Sequence, residues 1–261
     1  MEQLNDHGAF DWIAHGCDRD GFAVSRLVPP LFSAYRKILH PILRDLSIAD
    51  RLLSWDQAGG ATGSVGRIAP DSTAEEILRE EIIRDLVAGG TLARAAPGGP
   101  FPSMRILWRE LAAQYAVNFT PQITDDSFTR VFPGRSWPRY LVGPDEGTLD
   151  EESCRRLVDI LTPYAGTQRC FFYYDLKATR SLEALLYAGR LDEVLSTFQI
   201  ERAHGTPSYW WPEDRTWCVC TDWDLTYTIV AGSSALALEV DNDAVLESVK
   251  LSRRAPYGLH W

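Results

Sequence analysis

Asp222-Trp223-Asp224 places two carboxylates two residues apart, and Glu213-Asp214 adds two more just upstream. On an extended strand, positions i and i+2 share one face. That spacing can therefore offer paired oxygens to a hard cation, or an acid–base pair assisted by His204. The competing explanation is a turn that starts at Asp224, with Asp222 in solvent and Glu213-Asp214 paired to Arg215. Cys218 and Cys220 repeat the two-residue spacing, so their sulfurs can line one strand face as soft-metal ligands or supply a thiol nucleophile, again with His204 close in sequence. A zinc site needs two further ligands and a nucleophile needs a base within hydrogen-bond reach. A buried strand face is the simpler explanation, because free cysteine packs as a small hydrophobe.

Aromatic side chains are the densest feature of this region: Tyr209, Trp210, Trp211, Trp217, Trp223 and Tyr227 fall within nineteen positions. Large rings with one polar edge anchor interfaces and stack flat ligands, and they also build cores. Gly60, Gly63 and Gly66 recur every third residue, but no Lys-Ser or Lys-Thr follows them and no G-x-G-x-x-G precedes a helix, so a connector rather than a nucleotide loop is expected. Gly232-Ser233-Ser234 at a strand-to-helix junction can receive an anion or simply cap the helix. The five histidines are scattered, and neither H-E-x-x-H nor G-x-S-x-G occurs.

These candidates depend on the elements that carry them. Phe22 to Ile42 reads as strands broken by a turn at Pro29-Pro30, and residues 56–70 read as a glycine-rich loop. Ser72 with Glu75 opens a helix through Leu78, Ile82 and Leu86 that stops at Gly89-Gly90. Ser103 is expected to cap a second helix carrying Ile106 or Leu107, with Trp108, Leu111 and Tyr115, to about Val117. Thr148 with Glu151 forms a capping box for a helix that buries Leu157, Ile160 and Leu161 and ends before Gly166. Arg169 to Asp175 reads as a strand, and Ser181 to Ala188 and Leu191 to Phe198 as helical. Trp217 to Trp223 and Thr226 to Ala231 read as paired strands, followed by a helix from Gly232-Ser233-Ser234 to about Leu238 and a strand within Val245 to Leu251. The expected fold is mixed α/β of the α+β kind. Two packed lobes are expected, each a small mixed sheet flanked by helices, with residues 1–100 as the N-terminal lobe and 101–261 as the C-terminal one.

Composition narrows the function. Apolar residues make up 45% of the 261 and charged residues 24%, which is enough to bury a core. Thirty-six acidic against 26 basic side chains give a formal charge of −10, a field that repels phosphates and anionic lipid. The basic clusters (Arg135 with Arg139, Arg155-Arg156, Arg253-Arg254) are short and mixed with acids, so nucleic acid is not the expected partner. No apolar run approaches the roughly 18 residues of a membrane span, and the opening MEQLND has no signal-peptide character, so a cytoplasmic location is expected. Five cysteines without a C-x-x-C pair imply reduced thiols.

The segments LVPPLFSAYRKILHP, ILWRELAAQYAV, RYLVGPDEGTLDEE and YWWPEDRTWCVCTDWDLTYTIVAGS resemble those of a family of uncharacterised actinobacterial proteins, and the likeness spans most of the chain. That family has no established activity. The resemblance implies a bacterial cytosolic protein and brings no catalytic residues with it.

Two functional expectations follow. The first is a non-catalytic protein-binding protein whose partner is basic, an accessory or immunity-type component of a bacterial conflict or defence system, with the aromatic segment Tyr209 to Tyr227 as its surface. The second is an enzyme whose acidic, metal-binding or acid–base site is built around Asp222 and Asp224, with Glu213 and His204. Convergence of the carboxylates favours the second; an accessible aromatic face favours the first.

Overall fold

The computed structural model describes residues 1–19, 21–49, 51, 53–56, 102–175, 183–199 and 205–257. The glycine-rich loop after Asp56, the helix expected after Ser72 and His204 lie outside them. In chain order the elements are β1 (Glu2–Leu4), α1 (Asp11–Gly16), β2 (Ala34–Leu39), β3 (Ile42–Asp45), β4 (Ser103–Ile106), α2 (Trp108–Gln114), α3 (Asp125–Thr129), β5 (Leu141–Val142) and α4 (Glu151–Ala165). There follow β6 (Cys170–Tyr174), β7 (Leu185–Gly189), a 3-10 helix (Leu191–Gln199), β8 (Tyr209–Pro212), β9 (Cys218–Cys220), β10 (Tyr227–Gly232), α5 (Ser234–Asn242) and β11 (Ser248–Leu251). Helices and antiparallel sheets together make a mixed α+β protein.

The chain forms two compact units that interleave in sequence. One comprises Met1–His40, Thr120–Gln122 and Glu146–Trp261; the other comprises Pro41–Phe119 and Ile123–Asp145. Met1–His40, expected with the N-terminal lobe, thus belongs with the C-terminal half, because β2 pairs with β10 and β11 and β1 pairs with β7.

The first unit is built on an eight-stranded sheet in the order β1-β7-β6-β8-β9-β10-β2-β11, with every neighbouring pair antiparallel. β10, YTIVAG, is buried at all six positions, as a central strand covered on both faces must be. On the inner face, α4, α5 and the 3-10 helix pack over Cys170, Phe172, Tyr174, Trp210, Trp217, Val219 and Val230. α4 contributes Cys154, Leu157, Val158 and Leu161, the spacing that a helix presents to a flat sheet. Its cap is Asp150, whose carboxylate accepts the Ser153 amide at 3.0 Å. Thr148, expected to cap, is instead buried, where its hydroxyl accepts the Thr206 amide at 3.0 Å while the Thr206 hydroxyl accepts the Leu149 amide. α5 starts where expected, with Ser233 accepting the Leu236 amide, and runs on to Asn242. Gly232 leaves room for the Leu236 side chain: a Cβ would stand 2.7 Å from its Cδ2. Two ion pairs fix α5, Arg36 to Asp241 with two bonds of 2.7 Å and Arg156 to Asp243 at 2.6 Å.

Two local expectations are corrected. Leu185–Gly189 is a strand rather than a helix: its apolar run pairs with both β6 and β1, and such a run satisfies either period until its partners are known. Ser103–Ile106 is also a strand, paired with β3, and α2 starts only at Trp108. The second unit holds the three-stranded sheet β4-β3-β5. Its core is aromatic, with Phe128 within 5.5 Å of Trp108 and Phe132 within 5.0 Å of Trp137, ring centroid to ring centroid.

Candidate functional site: an aromatic face of the large sheet

Strand alternation divides the aromatic segment between two faces. On β8, Trp210 points inward to the helices while Tyr209 and Trp211 point outward. Trp217 joins Trp210 inside, edge to face at 6.2 Å and 86°, and among the described residues neither indole N–H finds an acceptor. Both are fully buried. Tyr227 faces outward but is buried too, its hydroxyl donating to the Tyr257 carbonyl and its ring lying 4.1 Å from the Lys37 ammonium. The expected continuous surface of Tyr209, Trp210, Trp211, Trp217, Trp223 and Tyr227 is therefore corrected. Trp210, Trp217 and Tyr227 are core, Trp211 is covered, and Trp223 stands apart on a turn.

The outer face acquires other rings that the segment alone does not reveal. On β6, Cys170, Phe172 and Tyr174 are inward and buried, so Phe171 and Tyr173 face outward and are half-buried. The N-terminal segment lies over them. Phe10 stacks on Tyr173 with centroids 3.8 Å apart and planes 11° from parallel, and meets Tyr209 at 5.3 Å and Trp211 at 6.0 Å. Trp211 in turn stacks on Phe171 at 5.5 Å and meets Trp12 edge-on at 6.1 Å, while His7 closes the other end against Tyr173 at 6.0 Å. The result is one continuous array in which His7, Phe10, Trp12, Phe171, Tyr173 and Tyr209 are each mostly buried but keep some exposed surface. Two guanidinium groups lie over its rings, Arg169 at 5.7 Å from Phe171 and Arg215 at 5.4 Å from Trp12. Exposed carboxylates stand near it: Glu2 pairs with Arg169 at 3.0 Å, Asp175 follows Tyr174 of β6, and Asp6 and Asp11 are sequence neighbours of His7 and of Phe10 and Trp12. Burial, and then the charge of Asp175, pushes the Tyr173 phenol above its ordinary value. The alternation of CFFYY is the signal that could have put Phe171 and Tyr173 on this face; Phe10 and Trp12 carry no such signal.

The acidic candidates do not converge. Glu213-Asp214 precedes β9 and Asp222-Trp223-Asp224 follows it, so the two pairs stand at opposite ends of that strand. Asp222 and Asp224 are not on one strand face, as expected from their spacing. They lie on a turn in which the Asp222 carboxylate accepts the Asp224 amide at 3.2 Å and the Asp222 carbonyl accepts the Leu225 amide. The Asp214 carboxylate is engaged by the Thr216 amide and hydroxyl and by Gln168; these bonds outweigh burial and hold its pKa below the usual range. Among the described residues no three of His, Cys, Asp and Glu are grouped to hold a metal ion.

Cys218 and Cys220 do share a strand face, the outer one, and both are fully buried. Burial, reinforced by Cys17 and for Cys220 by Asp222, pushes both thiols far up and keeps them protonated at neutral pH. Ser233 spends its hydroxyl on the α5 cap. Below the sheet, His40 Nε2 lies 2.9 Å from the Thr228 hydroxyl, which lies 2.8 Å from the Thr221 hydroxyl, all three buried.

Neither protein-family models, nor curated proteins, nor solved structures contain a match to this chain. The site's own chemistry thus carries the reading. A stacked aromatic array with partly exposed rings offers apolar contact and cation–π attraction. No helix among the described residues is long and apolar enough to cross a membrane.

Proposed function

We propose that this protein acts in the cytoplasm by binding a basic protein through the aromatic outer face of its large sheet, as an accessory or immunity-type component of a bacterial conflict or defence system, without turnover of a substrate. One observation carries the reading: partly exposed rings from three chain segments, Phe10, Phe171 with Tyr173, and Tyr209, are packed into one surface on a chain of charge −10. Monomeric surfaces rarely keep contiguous apolar area without a use for it, and aromatic residues dominate interface energetics. Excess negative charge speeds encounter with a basic partner and discriminates against acidic ones.

Native mass spectrometry of the protein purified gently from its own host tests this. The expected spectrum shows a second, basic polypeptide at fixed stoichiometry. A stoichiometric metabolite or metal ion, or an acidic partner, overturns the proposal.

A further inference from the structure

We infer that this face reads arginine in particular, so that the partner presents an arginine-bearing segment rather than lysine-borne charge. The inference rests on the partner-binding reading and specifies its chemistry. Two rings of the array already carry a guanidinium, and both come from exposed residues of the chain itself: Arg169 over Phe171 and Arg215 over Trp12. Arg215 reaches Trp12 from the β8–β9 turn, where it holds a φ of 58°, a left-handed conformation that only glycine adopts without cost. Both arginines stand at one end of the array, beyond Phe171 and Trp211, while the pair Phe10–Tyr173 and the neighbouring Tyr209 lie towards the other end, partly exposed.

A guanidinium is flat, weakly hydrated and able to stack on a ring while its edge N–H groups reach carboxylates; an ammonium is a compact, strongly hydrated point charge that loses more when pressed on an apolar surface. Exposed acceptors neighbour the rings in sequence, Asp11 between Phe10 and Trp12 and Asp6 beside His7, with one Asp6 oxygen already accepting the Gly8 amide. Rings with carboxylates near them therefore favour the planar cation, whereas carboxylates alone would not distinguish the two.

The test titrates the full chain with hexa-arginine and with hexa-lysine peptides at low salt, by calorimetry and by tryptophan fluorescence. Hexa-arginine is expected to bind about tenfold more tightly, the worth of roughly one to two stacked guanidiniums. Tyr173→Leu and Phe10→Leu, which keep apolar volume while removing the ring, should abolish that preference and leave the weaker charge-driven binding. Leu238→Ser, an exposed position on α5, should leave it intact. Equal affinity for the two peptides, or a preference that survives Tyr173→Leu, overturns the arginine inference and leaves the basic-partner reading standing. Binding of neither peptide, nor of protamine, removes both.

Discussion

Phe10 and Tyr173 lie ring on ring, their centroids 3.8 Å apart. The first belongs to the short segment before α1 and the second to β6 far along the chain, so this contact, with those of His7 and Trp12, fastens the N-terminal segment over the outer face of the sheet. Phe10→Ala should therefore destabilise the protein by about 1.5–3 kcal/mol, less than a fully buried phenylalanine because the ring is partly exposed. Urea unfolding followed by fluorescence measures it. A loss below about 0.5 kcal/mol, the size of an ordinary surface change, would mean that the stack holds nothing.

The division of tryptophans between core and surface makes its own prediction. Trp217→Ala removes a fully buried ring from beneath α5 and should cost about 3–5 kcal/mol, whereas Trp223→Ala, on a partly exposed turn, should cost well under half of that. Denaturant midpoints of the two variants against the parent decide it, and equal losses would contradict the assignment.

How much of this was legible in the residues varies with the kind of contact. The β9–β10 pair, the helix after Ser233 and the strand CFFYY follow from local composition and turn chemistry, and all three are present. The strand at Leu185–Gly189 was not legible, since LLYAG fits either period and only its pairing with β6 and β1 decides. The aromatic segment was visible as a density of rings. Which ring faces which side depends on the frame of alternation, and Trp210 and Trp211, adjacent in sequence, end on opposite faces. Phe10 and Trp12 could not be assigned to the site at all, because their partners are set by tertiary packing far along the chain. The Asp222–Asp224 spacing left a shared strand face and a turn both open, because a two-residue interval means a shared face only while the chain stays extended; here it turns.

The buried thiols predict an alkaline limit. Burial raises Cys17 from an ordinary 9.0 to about 12, with Asp18 adding to it, and raises Cys170 likewise to about 12. The folded state keeps these protons where the unfolded chain releases them, so their contribution is intact below pH 9 and is lost as pH rises from there towards about 12. Each thiol contributes a slope of up to about 1.4 kcal/mol per pH unit in that window. Unfolding free energies measured from pH 8 to 11 should fall, with Cys17→Ser showing a shallower decline. A flat profile would contradict the burial of these groups.

An acid limit follows from Asp243. Burial opposes its charge, but Arg156 and the Leu246 and Val245 amides outweigh that cost and hold its pKa below 3.8. A lowered pKa contributes stability that is complete above the unfolded value and is lost as pH falls through the folded one. Asp243→Asn should therefore lose about 1–3 kcal/mol at pH 7, and the loss should shrink as pH is lowered from there towards 2 and the parent carboxylate gains its proton. Thermal unfolding of both proteins at the two pH values reads the difference.

The central claim is that the partner sits on the outer aromatic face. Hydroxyl-radical footprinting of the full chain, free and in the complex isolated from its host, tests it most directly because oxidation reports ring exposure. Strong protection of Phe10, Phe171 and Tyr173 is expected in the complex, with Trp223, Phe22 and Leu238 oxidised as in the free protein. Protection confined to Trp223, Phe22 or Leu238, with the stacked rings unchanged, would contradict it.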